Sequence, residues 1–596
     1  MRRSNLAWLP LSLVLLAGCV VLQPEMPTPP APPEATALPT LLETPAVPAA
    51  TPEPEAPTPE PPSAVFYNLG DATVVQARFP KGNRFRNMPV RLNGALAAPT
   101  EGEGPFPVVV ILHGTHVGCP VGAGEADVWP CAPEEEQPNY SGFEYLVRSL
   151  AAHGYVALAP NINAEYTVGF GEPTFGQRAK QLLDLHLRGL VEAAAGKSTA
   201  FGVDLAGRVD LGRLALFGHS RGGELAWYLV NRLDWPATDS SYGPVAGVLQ
   251  IAAASSVADP WQPSAVPFAT VLASCDGDIM TQDGQFFYEG ARLSADQSAW
   301  AASVWLERAN HNNFNAFLKP DYQPVDRPDC ATVLEPEAQR GWLVAYAADF
   351  LAAVLAPEPE AAAQALARLG LDVAAPAPTE LYGLPARVAF LPPAANRQTL
   401  WTPASEEELA IHRLGGQVLA EDVSVVFCPS RYYLPNQAPD KGACRRHYVT
   451  VPGQPAFAAV AWERRGAALR FSLPQGAADL SGYAAITLRA AVDPASPLNA
   501  ADRPQALSLS LTDRAGNVAV VSTSPEEPAL AFPTGYMKES GVWEEGIFVG
   551  RVVLTTLRLP LALFSGVDLA NVAEVALVFD QTDSGSLWLA DLEWAR

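Results

Sequence analysis

A strand turns abruptly into a helix at Arg213-Leu-Ala-Leu-Phe-Gly-His-Ser-Arg-Gly-Gly223. The apolar run up to Phe217 predicts a buried strand, and the helix is expected to start near Glu224. Glycines two positions on either side of Ser220 permit a turn so tight that the serine side chain is pushed out above the sheet. Ser220 is therefore the candidate nucleophile, and the backbone N–H of Arg221, at the helix N-terminus, is aimed at a developing negative charge.

Strand-like and helical runs alternate on both sides of this turn. Buried strands are predicted at 107–112, 155–159, 213–217, 245–252, 268–274 and 303–307, and helices at 143–153, 175–195 and 341–355. Alternation of this kind indicates a mainly parallel sheet with helices on both faces. We therefore predict an α/β domain over residues 63–356.

Two polar loops follow later strands of this region. Cys275-Asp-Gly-Asp278 comes after the fifth predicted strand, and Ala309-Asn-His-Asn312 comes after the sixth. A serine becomes an effective nucleophile when a base takes its proton and a third group orients that base. His311 is the only histidine that follows the candidate nucleophile in this region, so we predict it as the base. Asp276 and Asp278 are both candidates for the acid.

These motifs resemble the α/β-hydrolase superfamily, and within it the branch of dienelactone hydrolases, chlorophyllases and cutinase-like polyester hydrolases. The matching pieces are Leu112-His-Gly-Thr115, Gly218-His-Ser-Arg-Gly222, Cys275-Asp-Gly-Asp278 and Ala309-Asn-His-Asn312. The resemblance implies an α/β-hydrolase fold for residues 63–356. It also implies hydrolysis of carboxylic esters without a metal or an organic cofactor.

The resemblance also implies roles for individual residues. It favours Asp276 over Asp278 as the triad acid, because the family loop usually carries its carboxylate at that distance from the proline that opens the strand, here Pro267. It further implies that the backbone N–H of Thr115 completes an oxyanion hole with that of Arg221. The expected catalytic set is therefore Ser220, Asp276 and His311, with Thr115 and Arg221 at the oxyanion hole.

Some of these residues also fit other kinds of site or function. His113 and His116 are candidate metal ligands, but no third ligand accompanies them in the sequence. Asp276, Asp278 and Asp283 do not follow the spacing of an EF-hand calcium loop. An amidase or peptidase carries the same triad, and a carbohydrate-binding surface lipoprotein can keep a vestigial one. We predict an esterase with no metal site.

Two loops, 117–142 and 161–176, are predicted to wall the substrate pocket. They carry the aromatic residues Trp129, Tyr140, Tyr166, Phe170 and Phe175. Packing of these rings within the loops themselves is the equal alternative.

The sequence pattern changes beyond residue 400. Short alternating runs at 468–472, 485–489, 507–511 and 575–579 are separated by Gly, Pro, Asn and Asp. They predict an all-β sandwich over 400–596, with 357–399 as a linker. The ending, Val575 to Asp591, resembles the last hairpin of galactose-binding-like jelly rolls. Carbohydrate is therefore a candidate partner, although no aromatic platform is visible and a structural role is favoured slightly.

The N-terminus carries an export signal. Arg2 and Arg3 precede a short apolar run that ends at Leu16-Ala-Gly-Cys19, which resembles a bacterial lipobox. The resemblance implies removal of residues 1–18 and lipidation of Cys19, whose acyl chains anchor the protein to the cell envelope on the extracytoplasmic side. The Pro- and Glu-rich segment 19–62 is predicted to be an extended tether.

Six cysteines remain after the lipobox cysteine. An even number in an exported protein predicts disulfides, whose connectivity the sequence leaves open. Neighbouring pairs are the economical choice because none crosses a predicted domain boundary: Cys119 with Cys131, Cys275 with Cys330, and Cys428 with Cys444. Two of these pairs depart from the cutinase-like pattern, one beside the acid and one beside the oxyanion loop. Zinc binding is disfavoured because no close Cys-x-x-Cys pair occurs.

The length and the net charge of the chain limit the remaining classes of function. A chain of 596 residues fits two or three domains. Its formal charge of −24 argues against a nucleic-acid partner, because proteins that bind nucleic acids concentrate Lys and Arg. The expected partners are a small or polymeric ester and, through the lipid anchor, the membrane.

Overall fold

The computed structural model describes residues 61–121, 127–255, 262–279, 282–294, 296–321, 330–428, 456–494, 496–501, 503–533 and 553–596. Cys19, the segment 1–18 and nearly all of the predicted tether lie outside these ranges. Pro59–Arg596 forms one compact unit by its internal contacts. Within the described ranges, no helix has the length and apolar character needed to cross a membrane.

A ten-stranded sheet dominates the first part of the described chain. Its strands are β1 (Val65–Val75), β2 (Asn87–Ala97), β3 (Phe106–Leu112), β4 (Val156–Pro160), β5 (Val209–His219), β6 (Val245–Ile251), β7 (Phe268–Ala273), β8 (Ala301–Leu306), β9 (Glu380–Leu381) and β10 (Leu384–Leu391). Their order in the sheet is β1-β2-β4-β3-β5-β6-β7-β8-β10-β9. The helices are α1 (Glu144–Ala152), α2 (Asn163–Tyr166), α3 (Gln177–Ala194), α4 (Arg221–Arg232), α5 (Gly284–Leu293), α6 (Pro336–Leu355) and α7 (Pro359–Arg368).

The predicted fold class, a mainly parallel α/β-hydrolase sheet, is wrong. The sheet is mixed: the run β4-β3-β5-β6-β7-β8 is parallel, whereas β1 with β2, β2 with β4, β8 with β10 and β10 with β9 pair antiparallel. The structure is 23% helical and 32% strand, so it is rich in sheet and not in helix.

Strands that the sequence did not predict cause this difference. β1 and β2 are joined by the short segment 76–86, which is too short for a parallel crossover and therefore imposes antiparallel pairing. β10 lies within 357–399, the segment expected to be a linker, and it adds to the sheet edge beside β8.

The central strands divide their side chains between two cores. In β3, Val109 and Ile111 pack with helices α1 and α6, while Val108, Val110 and Leu112 pack with α3, α4 and α5. Successive side chains of a strand point to opposite faces, so the unbroken apolar run at Pro107-Val-Val-Val-Ile-Leu112 supplies both cores. This packing fixes the ends of β3 and β5, where the candidate nucleophile and oxyanion loops begin.

Two antiparallel sheets form the C-terminal part of the described chain. Their strands are β11 (Arg397–Trp401), β12 (Val418–Glu421), β13 (Val423–Cys428), β14 (Phe457–Trp462), β15 (Ala467–Ser472), β16 (Ala485–Val492), β17 (Ser508–Asp513), β18 (Val518–Ser522), β19 (Thr555–Pro560), β20 (Val572–Phe579) and β21 (Gly585–Ala595). One sheet has the order β13-β14-β21-β16-β19 with β11 also on β21, and the other has the order β12-β15-β20-β17-β18. The arrangement is compatible with a jelly roll. The expected final hairpin is wrong, because β20 and β21 belong to different sheets.

Four buried charges, which we call the junction cluster, join α5 to the sandwich. Arg292 on α5 pairs with its neighbour Glu289 and with Asp591 on β21, the latter at 2.7 Å between Nη1 and Oδ1. Arg489 on β16 contacts both acids, with Nη1 3.1 Å from Glu289 Oε2 and 3.3 Å from Asp591 Oδ2. Burial alone would raise the pKa of Glu289, but the two guanidinium groups hold it below its ordinary value.

Candidate active site

Ser220 lies in a strained turn between β5 and α4. Its backbone adopts φ 57° and ψ −128°, a conformation that is costly for a residue with a side chain. The turn also requires its two glycines. A Cβ at Gly218 would lie 2.0 Å from the carbonyl oxygen of Gly222, and a Cβ at Gly222 would lie 2.4 Å from that of Leu112. These two glycines are therefore needed to hold Ser220, in a strained conformation, at the start of α4.

His311 and Asp276 are brought together by the loops after β8 and β7. His311 Nδ1 lies 2.8 Å from Asp276 Oδ2, and both side chains are buried. The other carboxylate oxygen of Asp276 accepts the backbone N–H groups of Asp278 and Ile279, which fixes its orientation. Since a carboxylate accepts the Nδ1 proton, the neutral imidazole keeps its lone pair on Nε2, the nitrogen that a base needs free.

His311 Nε2 has no hydrogen-bond partner within the described residues. Asp278, whose side chain is 58% exposed, places its Oδ2 3.6 Å from this nitrogen, beyond hydrogen-bond distance. Burial opposes the charged imidazolium, but the nearby carboxylates, Asp276 first and then Asp278 and Asp321, raise the pKa of His311 above its ordinary value. The geometry thus favours Asp276 as the orienting acid and gives Asp278 an electrostatic influence only.

His219, the residue before Ser220, links the turn of Ser220 to the loop of His311. Its Nε2 lies 3.0 Å from the carbonyl oxygen of His311, so Nε2 carries the proton and donates it. The two imidazole rings lie 4.6 Å apart between centroids. Burial, together with the neighbouring histidines, lowers the pKa of His219 well below its ordinary value, so this side chain stays neutral.

A second contact, made by helix α6, holds the loop that carries His311. Gln339 is buried there and accepts the backbone N–H of Asn310 at 2.9 Å while donating to the Asn310 carbonyl at 2.7 Å. The side chain of Asn310 donates to Asp321 and, at 3.4 Å, to the carbonyl of Cys275 in the acid loop. The loop that carries His311 is therefore held both by α6 and by the loop that carries Asp276.

The predicted oxyanion donors lie on either side of Ser220. Arg221 is the first residue of α4, and Thr115 follows Gly114 at the end of β3. A Cβ at Gly114 would lie 2.7 Å from Ser220 Cβ, so the loop approaches the nucleophile as closely as a glycine allows. Neither Thr115 N–H nor Arg221 N–H donates to an acceptor in the described part of the chain.

His113, the residue that follows β3, has a structural role. His113 Nδ1 lies 2.8 Å from the carbonyl oxygen of Gly114, and its Nε2 accepts the backbone N–H of Ile162 at 3.1 Å. Both ring nitrogens are thereby occupied, which removes His113 as a metal ligand. Across the described ranges, no group of three or more His, Cys, Asp or Glu side chains is arranged to hold a metal ion.

Only some of the aromatic residues that were predicted to wall the pocket lie at the candidate site. The Tyr166 hydroxyl donates to the carbonyl of His113 at 3.1 Å, and the Arg221 guanidinium stacks over the Phe175 ring at 5.1 Å. Trp129 and Tyr140 are buried, and Phe170 packs on Phe85. Tyr166 and Phe175 therefore contact the candidate site, whereas Trp129, Tyr140 and Phe170 pack against β1, β2 and the segment between them.

Two of the predicted disulfides are confirmed, and both border the site. Cys119 bonds to Cys131 with a Cα–Cα distance of 5.7 Å, and Cys275, next to Asp276, bonds to Cys330 with a Cα–Cα distance of 5.5 Å. In the third predicted pair, Cys444 lies outside the described residues. Disulfides form and persist in oxidising compartments, which indicates an extracytoplasmic location.

His219 and Gln339 were missed as positioning residues by sequence reasoning. His219 lies inside the motif that identified Ser220, but its partner is 92 residues away. Gln339 is a polar residue within a largely apolar helix, a signal that could have drawn attention to it.

No protein-family model matches the chain, and a search of the curated proteins finds no significant match. The resemblance to the hydrolase superfamily stays a prediction. The case for function therefore rests on the chemistry of the site.

Proposed function

We propose that the protein is a serine hydrolase that cleaves carboxylic esters through Ser220, His311 and Asp276. One observation carries the proposal: His311 holds its Nδ1 proton on a buried carboxylate and leaves Nε2 without a partner, next to the strained turn of Ser220. A structural histidine usually has both ring nitrogens satisfied, as His113 does. An oriented imidazole with one free nitrogen, beside a serine held in a strained turn, supports a base acting on a nucleophile.

The proposed reaction begins when His311 Nε2 takes the proton of Ser220 Oγ. The Oγ electron pair attacks the ester carbonyl carbon, and the carbonyl π electrons move onto oxygen, where the N–H groups of Arg221 and Thr115 stabilise the charge. Collapse of this intermediate breaks the bond to the alcohol, which leaves with the proton from His311. Water then repeats the sequence on the acyl-enzyme and releases the acid. The net reaction converts ester and water into acid and alcohol.

The hydrogen bond from Ser220 Oγ to His311 Nε2 is not made in this structure. Catalytic hydrogen bonds are often long in the absence of substrate and tighten in the Michaelis complex. The proposal therefore includes a small adjustment of the serine or histidine side chain when substrate binds.

The test compares the wild-type protein with Ser220→Ala. Hydrolysis of p-nitrophenyl esters and labelling by a fluorophosphonate probe are both expected in the wild type and lost in the variant, with an unchanged melting temperature. A control, Ser524→Ala, removes an exposed serine hydroxyl that follows β18 in the C-terminal part of the chain and should leave both readouts intact. Ester hydrolysis that survives Ser220→Ala would reject the proposal, and preference for amide over ester substrates would redirect it to an amidase.

We also propose that Cys19 carries the lipid anchor that the lipobox resemblance implies. Its support is the sequence at Leu16-Ala-Gly-Cys19 together with the extracytoplasmic location that the disulfides indicate. Cys19→Ser should release the protein from the membrane fraction of the cells that express it. Continued membrane partitioning of that variant would reject lipidation at Cys19.

A further inference from the structure

His116 is a second, partly buried imidazole at the candidate site, and its Nε2 atom is buried without a partner among the described residues. It follows Thr115 in the loop after β3, and its Nε2 has no hydrogen-bond partner in the described ranges. Buried polar atoms in folded proteins are nearly always paired, because an unpaired one loses its hydration without compensation. An unpaired nitrogen beside a nucleophile therefore points to a group that arrives with the substrate.

The space that His116 faces is the space in front of Ser220. The position that a Cβ would take on Gly114 lies 3.3 Å from His116 Nε2 and 2.7 Å from Ser220 Cβ. Both atoms thus border the same gap, which the glycine leaves open. The imidazole ring also lies nearly parallel to that of His219, at 6.3 Å between centroids, which places it in a row with the residue that precedes the nucleophile.

The charge state of His116 suits a hydrogen-bond donor. Burial, reinforced by the neighbouring His311, lowers the pKa of His116 to about 4. The side chain is therefore neutral at neutral pH and carries one ring N–H. A neutral imidazole can donate to a developing oxyanion, and it adds no positive charge to oppose the imidazolium that forms on His311.

We propose that His116 is a third oxyanion donor, whose Nε2–H hydrogen-bonds the substrate carbonyl oxygen as Ser220 attacks. The proposal rests on the proposed function of Ser220. It places a side-chain donor beside the backbone N–H groups of Thr115 and Arg221. Since the bond strengthens only as negative charge develops, its loss should lower kcat more than it alters KM.

The experiment uses two variants of the full chain. His116→Leu removes the donor, and His116→Gln keeps an N–H near the position of Nε2. With p-nitrophenyl butyrate we expect kcat to fall about 100-fold in His116→Leu, as for loss of one oxyanion donor, and to recover to within about tenfold in His116→Gln. A matched control is His153→Leu, since His153 is an exposed histidine whose Nδ1 lies 2.8 Å from the carbonyl oxygen of Ser149, and this variant should keep wild-type kinetics.

The rate of fluorophosphonate labelling of Ser220 gives a second readout, because phosphonylation also develops charge on an oxygen in the same hole. It should fall in parallel with kcat in His116→Leu. A kcat within threefold of wild type in that variant, or equal losses in the Leu and Gln variants at an unchanged melting temperature, would overturn the donor role. If instead the wild type shows no hydrolysis that Ser220→Ala removes, the proposed function fails and this inference fails with it.

Discussion

The junction cluster and the histidines around Ser220 are both buried and polar, but they are built in opposite ways. In the junction cluster each charge faces an opposite charge: Glu289 and Asp591 are both contacted by Arg292 and Arg489. At the candidate site, the Nε2 atoms of His116 and His311 have no partner among the described residues. Opposed charges suit a structural joint, whereas ring nitrogens without a partner beside a potential nucleophile are available to a group that arrives with the substrate.

Positive φ occurs in both regions, at Ser220 (φ 57°) and at Asp591 (φ 52°). At Ser220 it is accompanied by two required glycines and by the unpaired ring nitrogens of His116 and His311. Strain and unpaired polar atoms cost stability, so their coincidence beside a potential nucleophile is a physical argument for chemistry there. Removing a residue from the site should therefore reduce the rate, and removing one from the junction cluster should reduce stability.

The largest expected effect is on the rate, from Asp276→Asn. The amide oxygen takes the place of Oδ1, which accepts the N–H groups of Asp278 and Ile279, so the NH₂ group faces Nδ1 and donates to it. The imidazole thereby loses both its tautomer and its compensating charge. We expect kcat to fall about 10⁴-fold while the melting temperature changes little. Steady-state kinetics on p-nitrophenyl esters measure the loss.

Asp278→Asn is the matched control for that variant, since the two aspartates share a loop. Asp278 is exposed and lies 3.6 Å from Nε2, so kcat should fall less than tenfold. The reverse ranking would transfer the acid role to Asp278. Near-normal activity in both single variants would require a double variant to find whether either carboxylate suffices.

The second effect should be on stability alone, from Arg489→Met. This change leaves Glu289 and Asp591 buried with only Arg292 between them, and breaking a buried pair costs about 3–5 kcal/mol in the free energy of unfolding. Arg470→Met is the control, because its pairs with Glu421 and Glu574 are partly exposed and are worth about 0–1 kcal/mol. Urea unfolding measures both, and kcat per folded molecule should not change. A stable Arg489→Met protein would show that the cluster is not a structural joint.

The locally encoded parts of this molecule were predictable from the sequence. β3 and β5 are unbroken apolar runs, and the turn at Ser220 is marked by glycines within two residues of it. The pairing of strands is different, because it depends on residues far apart in the chain. β1, β2 and β10 change the sheet from mainly parallel to mixed. The residues of each strand do not specify which other strand it pairs with.

The same distinction applies within the site. His311 was identifiable because it is the only histidine available after Ser220 in its region. The choice between Asp276 and Asp278 depends on the path of one loop, in which Asp276 turns back to accept the N–H of Asp278. Gln339 and His219 act through hydrogen bonds to residues 29 and 92 positions away, which a sequence pattern does not encode.

A smaller rate effect is expected from Gln339→Leu. Loss of both hydrogen bonds to Asn310 frees the base loop, and displacement of a catalytic group by about 1 Å can cost up to 100-fold. We expect kcat to fall about 10- to 100-fold with KM nearly unchanged, because substrate contacts are not removed. Gln285→Leu is the control: this buried glutamine on α5 has an Nε2 with no partner among the described residues, and activity should persist. An unchanged kcat in Gln339→Leu would mean that Asp276 and His219 suffice to hold the base.

The smallest effect, and the finest test of the site, is a change in pH dependence. His311 acts as a base only when neutral, so kcat/KM should fall as the pH drops through its pKa. Burial lowers that pKa, but the carboxylates of Asp276, Asp278 and Asp321 outweigh it and raise the pKa above the ordinary value, while the neutral His219 and His116 add no compensating charge at neutral pH.

Asp278→Asn removes one raising charge without touching the hydrogen bond to Asp276. The midpoint of the acid limb of kcat/KM should therefore move to lower pH, and the variant should outperform the wild type, relative to its own plateau, on the acid side. Because Asp278 is exposed, added salt should shrink the shift between the two proteins. Asp204→Asn, an exposed carboxylate whose Oδ1 accepts the N–H of Ala206, is the control and should leave the midpoint in place. A midpoint that stays fixed or moves to higher pH in Asp278→Asn would mean that His311 is not the titrating base, since loss of a nearby negative charge can only favour its neutral form.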